Sequence, residues 1–243
     1  MTPEASDRTR RLIGDDGLAA LSRAAVLVCG LGGVGSWCAE ALARAGVGRF
    51  GLLDCDSYVQ SNLNRQLGAL HSTLGRRKTD VEAERLLDIN PDAQIERLCL
   101  RYGPDTAAQI DLRRWTCVVD AIDQVSAKVL LVRNARAVGT PVFAAMGGGN
   151  KLDPTRFDIR DLRDTTRCPL AKAMRKKLRR VGIESLVVVA SDEPPRTPAG
   201  FDPSLRVQTA GTMPDVVGME GLLLAHAVLE FLLAPAHAMG PGG

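Results

Sequence analysis

The run CGLGGVGSW, residues 29–37, lies between an apolar strand-like stretch, AAVLVCG (24–30), and a helix-compatible one, VGSWCAEALARAG (34–46). A strand that turns through Gly30-Leu31-Gly32-Gly33-Val34-Gly35 into a helix brings unpaired backbone amides and the positive end of a helix dipole to one point. Glycines leave room there for an anion to approach the backbone. Such a turn serves a hydride-carrying dinucleotide, a mononucleotide that gives up its phosphates, or only the close packing of helix on strand. The glycines alone do not choose among these.

The alternation continues down the chain. FGLLDCD (50–56) reads as a strand, Thr79–Ile89 as a helix and IERLCL as a strand; Pro104–Arg114 reads as helical before the strand CVVDAID; Ser126–Val138 reads as a helix before PVFAAM. This pattern predicts an α/β fold with a doubly wound, mostly parallel, Rossmann-like sheet. Ligands of such sheets gather at the carboxyl ends of the strands, so Gly30, Asp54, Asp123 and Gly147 are expected around one crevice. Beyond Gly149 the pattern loosens into a short FDIRDL run, a helix from Pro169, an LVVVA strand, the loop DEPPRTPAG and a long helix from Pro214. A chain of 243 residues is long enough for one substantial core. It reads as a single domain over 1–243, with a nucleotide-binding core at 24–150, a variable C-terminal half whose substrate-side elements and last helix span 151–233, and a frayed tail at 234–243.

Several classes are set aside. Val216–Leu233 is apolar enough to suggest a membrane span, but Glu220, His226 and Glu230 interrupt it, which predicts a buried helix and no membrane partner. The first twenty residues lack the apolar core of a signal peptide, so the cytoplasm is the expected location. The six cysteines, at 29, 38, 55, 99, 117 and 168, form no closely spaced pair of zinc ligands. Cys29, Cys55, Cys99 and Cys117 fall in strand-like runs and are expected to pack as small apolar side chains. A net charge of +3 does not by itself announce nucleic-acid binding.

Asp54 ends the second strand about 20 residues beyond the glycines, where a carboxylate accepts hydrogen bonds from a ribose. That suits NAD and adenosine nucleotides equally, and Asp56 offers a weaker version of the same role. The next stretch, SNLNRQ (61–66), places Asn62, Arg65 and Gln66 past the strand, and Lys78 opens the following helical region. A hydride transfer has no need of two cations there. Adenylation does, because a carboxylate meets an α-phosphate while pyrophosphate leaves, and charge must be neutralised on both sides. Arg65 offers a planar fork and Lys78 a point charge. Asp123, at the end of VVDAID, is placed to hold Mg2+ against phosphate oxygens or to cap the helix that begins near Ser126, whereas Asp120 reads as structural.

In this order, GxGGxG, DxDxxxxSNxxRQ, the downstream lysine and the DAID aspartate resemble the ubiquitin-activating-enzyme-like adenylyltransferases, whose bacterial members include ThiF, MoeB and HesA proteins. The resemblance implies ATP contacts from Gly30, Gly32, Gly33, Gly35, Asp54, Asp56, Asn62, Arg65, Gln66 and Lys78, with magnesium near Asp123. It also implies a homodimer in which an N-terminal arginine reaches the partner's phosphates; Arg11 in RRLIG is the candidate, with Arg8 and Arg10 beside it. Arg65, Lys78, Asp123 and Arg11 thus form the expected catalytic set.

LVCGLGGVGSWCAEALARAGVG, GGGNKLDPT and DLRDTTRCPLAKAMRKKLRR are most similar to the branch of that family that dehydrates threonylcarbamoyladenosine in tRNA. That branch implies attack of the threonyl carboxylate on the ATP α-phosphate, followed by intramolecular ring closure with loss of AMP. Lys172, Arg175, Lys176, Lys177, Arg179 and Arg180 lie on one predicted helix, opposite a stripe of Leu170, Met174, Leu178 and Val181. They are the expected tRNA contacts, holding phosphates without reading sequence. The rival within the family is an activator of a ubiquitin-like sulfur carrier, which would use Cys168 and a sulfur-transfer protein partner.

Overall fold

The computed structural model describes residues 2–200 and 210–234. Its strands are β1 (Ala25–Cys29), β2 (Arg49–Leu53), β3 (Gln94–Leu98), β4 (Cys117–Asp120), β5 (Val142–Ala145), β6 (Phe157–Asp161) and β7 (Val187–Ser191). They form one sheet in the order β3-β2-β1-β4-β5-β7-β6. Every neighbouring pair is parallel except β6 with β7. β1, β4 and β5 are buried along their whole length, which is why they read as continuous apolar runs instead of alternating ones. β3, an edge strand with the sequence QIERL, carries the polar residues that keep an open edge from pairing with another chain.

Helices cover both faces. On one side lie α1 (Pro3–Arg23), α2 (Gly35–Ala45), α3 (Lys78–Ile89) and α6 (Pro214–Leu233), joined in a core that includes Leu21, Leu42, Leu86, Leu224 and Val228. On the other lie α4 (Val125–Ala137) and α5 (Pro169–Arg179), with Leu131, Met174 and Leu178 packed beside Tyr102 and Trp115. α1, a largely polar element with no clear apolar period, is broken at Gly14, whose φ of 71° suits glycine. α6 is long and apolar enough to cross a bilayer, yet Val216, Val217, Leu224, Ala225 and Val228 are buried against the rest of the protein.

Three expectations are corrected. Residues 104–114 form two short 3-10 turns, Ala107–Gln109 and Leu112–Arg114, in place of a helix. Thr106 Oγ1 accepts from Gly103 N at 3.0 Å and Asp111 Oδ1 from Arg113 N at 3.1 Å, local bonds that compete with helical ones. Cys55 and Cys99 are exposed because each lies just past the end of its strand, where the sheet no longer covers it. Val181 is also exposed, one turn beyond the part of α5 that packs. Of the predicted tail, only Ala234 falls within the described residues, closing α6.

Candidate active site

β1 and β4 are adjacent, with β2 leading away on one side and β5 on the other, so the sheet's switch point falls between them. A cavity of about 780 Å³ opens there. Gly30, Gly32, Gly33, Asp54, Asp56, Asn62, Arg65, Gln66, Lys78, Asp123 and Gly147 all line it. A larger cavity, about 920 Å³, adjoins it and shares Arg101, Tyr102, Gln124 and Ala127, but contains neither the glycine turn nor the Arg65 and Lys78 pair.

The glycines divide by what surrounds them. A Cβ on Gly32 would meet nothing within 4 Å, which leaves this position open to a ligand. Gly30 has φ of 91°, and a Cβ there would stand 2.6 Å from the Ala121 carbonyl oxygen. Gly35 does not line the cavity: its Cβ would be 1.8 Å from the Gly30 carbonyl oxygen, so this glycine is required by the packing of α2 on the turn. Gly32, Gly33 and Val34 bring the N-terminal end of α2 to the cavity wall, with its unpaired amides and positive dipole end.

Asp54 and Lys78 form the floor. Asp54 Oδ2 accepts from Leu31 N at 2.7 Å and Oδ1 from Asp56 N at 2.8 Å, which ties the end of β2 to the glycine turn. Lys78, only 5% exposed, places Nζ 3.3 Å from Asp56 Oδ2 and 3.8 Å from Asp54 Oδ2. Partial burial pushes the Asp56 carboxyl up, but Lys78, the Cys55 thiol and Arg101 together outweigh it and hold the group below its ordinary value. Asn62 is buried and accepts from Val59 N at 3.1 Å, so its carboxamide shapes the loop that carries Arg65. Arg65 is half-buried, donating from Nη1 to the Ser61 carbonyl and to Asn64 Oδ1, both at 2.9 Å. Gln66 is buried with Oε1 lacking a hydrogen bond.

Asp120 and Asp123 separate as their positions predict. Asp120 is fully buried and pairs with Lys128 at 3.1 Å; Lys128 Nζ also donates to the Asp120 carbonyl. Asp123 is exposed at the cavity rim, with Arg101 as an electrostatic neighbour. Asp54, Cys55 and Asp56 bring possible ligand atoms within 4.8 Å of one another, and Asp123 lines the same cavity as a further carboxylate. Sequence reasoning did not single out Arg101, Tyr102, Gln124 or Thr212, which also line the cavity. Arg101 and Tyr102 follow β3 as Asp54 follows β2, so their place past a strand's carboxyl end was the available signal.

Arg11 is not among the lining residues. It is exposed on α1 and pairs with Asp7 at 2.9 Å. On α5, Lys172, Lys176, Lys177, Arg179 and Arg180 are exposed, whereas Arg175 is half-buried and donates to the Leu162 and Thr165 carbonyls at 3.2 and 2.7 Å. α5 begins at the cavity, which Leu170 lines. Cys168 is buried as the α5 N-cap: Sγ donates to the Met146 carbonyl at 3.2 Å and accepts from Ala171 N at 3.4 Å.

The sheet order, the switch-point cavity and the glycine turn with its flanking cations define a nucleotide-binding α/β enzyme that handles phosphate charge. The chain belongs to the ThiF family, which matches residues 6–239. It is 39% identical over 238 residues to tRNA threonylcarbamoyladenosine dehydratase of Bacillus subtilis, covering 93% of each chain. Its fold is similar to the crystal structure of Escherichia coli tRNA N6-threonylcarbamoyladenosine dehydratase, TcdA, in complex with AMP, with TM-score 0.88, 32% identity and 96% of each chain covered. The complex of that protein with ATP gives TM-score 0.87 and 32% identity, covering 98% of this chain and 97% of that one.

Proposed function

We propose that this protein is an ATP-dependent tRNA threonylcarbamoyladenosine dehydratase that adenylates the threonyl carboxylate and lets the product cyclise. The observation that carries this reading is the meeting of the glycine turn, Asp54, Arg65 and Lys78 around one cavity, in a chain 39% identical to a dehydratase across nearly its full length. In this reading the α2 amides receive phosphate oxygens, Asp54 holds the ribose, and Arg65 and Lys78 neutralise charge as the α-phosphorus exchanges pyrophosphate for carboxylate oxygen. Asp56 acts through Lys78, holding the ammonium at the floor. Asn62 and Gln66 support the Arg65 loop. Ring closure then joins the carbamoyl nitrogen to the activated carbonyl and releases AMP; the two groups share one substituent, so proximity supplies much of the rate.

Asp123 fits a magnesium ion, which commonly takes one or two carboxylates together with phosphate oxygens and water. When bound, the ion would offset the negative charge of the triphosphate. The exposed cations of α5, which starts at the cavity, suit the phosphates of an RNA whose modified nucleoside enters it. Arg11, exposed on α1, is free of the cavity of its own chain, consistent with a role across a homodimer. The cytoplasm is the matching location.

The alternative, activation of a sulfur carrier with help from a sulfur-transfer protein, would use Cys168 as an accessible thiol. Cys168 is buried and committed to the helix cap, which favours the dehydratase. The deciding experiment incubates the protein with ATP, magnesium and tRNA bearing threonylcarbamoyladenosine, then weighs the nucleosides. Loss of one water supports the proposal; an unchanged nucleoside overturns it.

A further inference from the structure

A second glycine-rich segment, Gly147–Gly149, lines the cavity and rests on α6. The residue beneath it is Glu220, fully buried among Val216, Val217 and Leu224 of the same helix, where packing alone would favour an aliphatic side chain. Its Oε1 accepts from Gly147 N at 2.6 Å. Its Oε2 has no hydrogen-bond partner, and a Cβ placed on Gly148 would stand 3.3 Å from it, so the unsatisfied oxygen lies directly against the loop. Gly147 has φ of 83° and Asn150 φ of 61°, which fixes the bend of the loop between them.

Two cations face Glu220 from the surrounding elements, Lys128 of α4 and Lys151 beyond the loop. Each is committed elsewhere: Lys128 to Asp120, and Lys151 to the Glu193 carbonyl at 2.6 Å. No cation pairs directly with Glu220 among the described residues, so the charge of this carboxylate is borne by the amides of the glycine loop.

We propose that Glu220 is a positioning residue whose ionised carboxylate clamps the Gly147–Gly149 loop onto α6 and thereby sets the wall against which the RNA substrate is held. The inference rests on the function proposed above. Burial pushes the Glu220 carboxyl up to about 7, against the pull of the Gly147 and Met146 amides and the two lysines. Opening of the loop that leaves Glu220 packed within α6 removes the Gly147 amide but not the burial, so the carboxyl is pushed higher still in the open state. Ionisation therefore favours the closed loop even though it lowers the stability of the whole fold, and the bond is charge-assisted above that pH and neutral below it. Charge-assisted bonds are roughly twice as strong as neutral ones, which corresponds to about a fivefold change in how often the loop opens. The KM for modified tRNA should rise about fivefold from pH 8 to pH 6, whereas ATP affinity, set at the Asp54 and Lys78 side, should hold.

The test compares the full chain with Glu220→Gln, which keeps an acceptor and nearly the same volume but cannot ionise. Amide hydrogen exchange at Gly147, corrected for the intrinsic pH dependence, is read by NMR from pH 6 to pH 8. Wild type should gain about fivefold protection with rising pH, and the variant should show a flat profile in both exchange and KM. The carbon-13 shift of the Glu220 carboxyl in wild type should titrate with the same midpoint, which decides the matter even if the variant does not fold. Parallel profiles in the two proteins, or a carboxyl midpoint far from that of Gly147 exchange, would overturn the proposal. Absence of turnover at every pH would overturn the dehydratase reading instead, and the exchange data would still decide the clamp.

Discussion

Replacing Lys78 with methionine keeps the aliphatic stem that fills the floor of the cavity and removes only the ammonium. In the wild-type protein that ammonium is 3.8 Å from Asp54 and 3.3 Å from Asp56. At an effective dielectric constant of about 20, each contact is worth about 4 to 5 kcal/mol before the cost of desolvating Lys78 is subtracted. Asp54 retains its bonds from Leu31 N and Asp56 N, so the net loss of folding stability should be about 1–3 kcal/mol. The catalytic loss should be larger. Removing one preorganised donor from a developing charge costs roughly two to three orders of magnitude in kcat, and Lys78 is the buried cation of the cavity floor. The assay is tRNA-dependent AMP formation at saturating ATP, alongside thermal unfolding to confirm that the variant is folded. A folded Lys78→Met variant whose kcat lies within threefold of wild type would refute the assignment of Lys78 to the reacting phosphates.

Four further outcomes follow from the same geometry. Arg65→Ala should lower kcat by roughly tenfold or more while changing ATP affinity much less, because the guanidinium matters most when phosphate charge redistributes; equal losses in the two parameters would point to simple binding. Asp123→Asn should raise the magnesium concentration needed for half-maximal activity several-fold, as read from a metal titration. Changing Lys172, Lys176 and Lys177 together to glutamine should weaken tRNA binding and flatten its dependence on salt, measured by filter binding at several ionic strengths. For Glu220, a pKa raised from 4.5 to about 7 means that the native state holds the proton more tightly than the unfolded chain. Its stabilising contribution is complete below pH 4.5, declines as pH rises and is gone above about 7, a change of at most about 3 kcal/mol; Glu220→Gln should accordingly raise the melting temperature more at pH 8 than at pH 5.

The sheet was legible in the chain because its central strands are buried on both faces. AVLVC, CVVD and VFAA are short apolar runs bounded by turns, and no competing periodicity obscures them. The switch-point crevice follows from β/α alternation, since Gly30, Asp54 and Asp123 each sit just past a strand's carboxyl end and meet at one cavity. Features decided by local hydrogen bonds were less visible. Residues 104–114 contain helix-forming alanines and arginines, but Thr106 and Asp111 hold the backbone in turns. α1 carries too few apolar residues to announce itself and depends on Leu21 and Ala20 meeting the rest of the core. Gly35 reads as part of a phosphate turn although its neighbour is the Gly30 carbonyl, because a spacing motif does not reveal which glycine faces ligand and which faces protein. Glu220 reads only as an interruption of an apolar helix. Its contact with Gly147 spans 73 residues and arises only when α6 folds back onto the sheet.

Oxygen isotope transfer tests the central claim most directly. With oxygen-18 in the threonyl carboxylate of the modified tRNA, attack on the α-phosphorus followed by ring closure leaves one labelled oxygen on the AMP released, matched by one pyrophosphate. Unlabelled AMP, or label appearing in inorganic phosphate beside ADP, would contradict it.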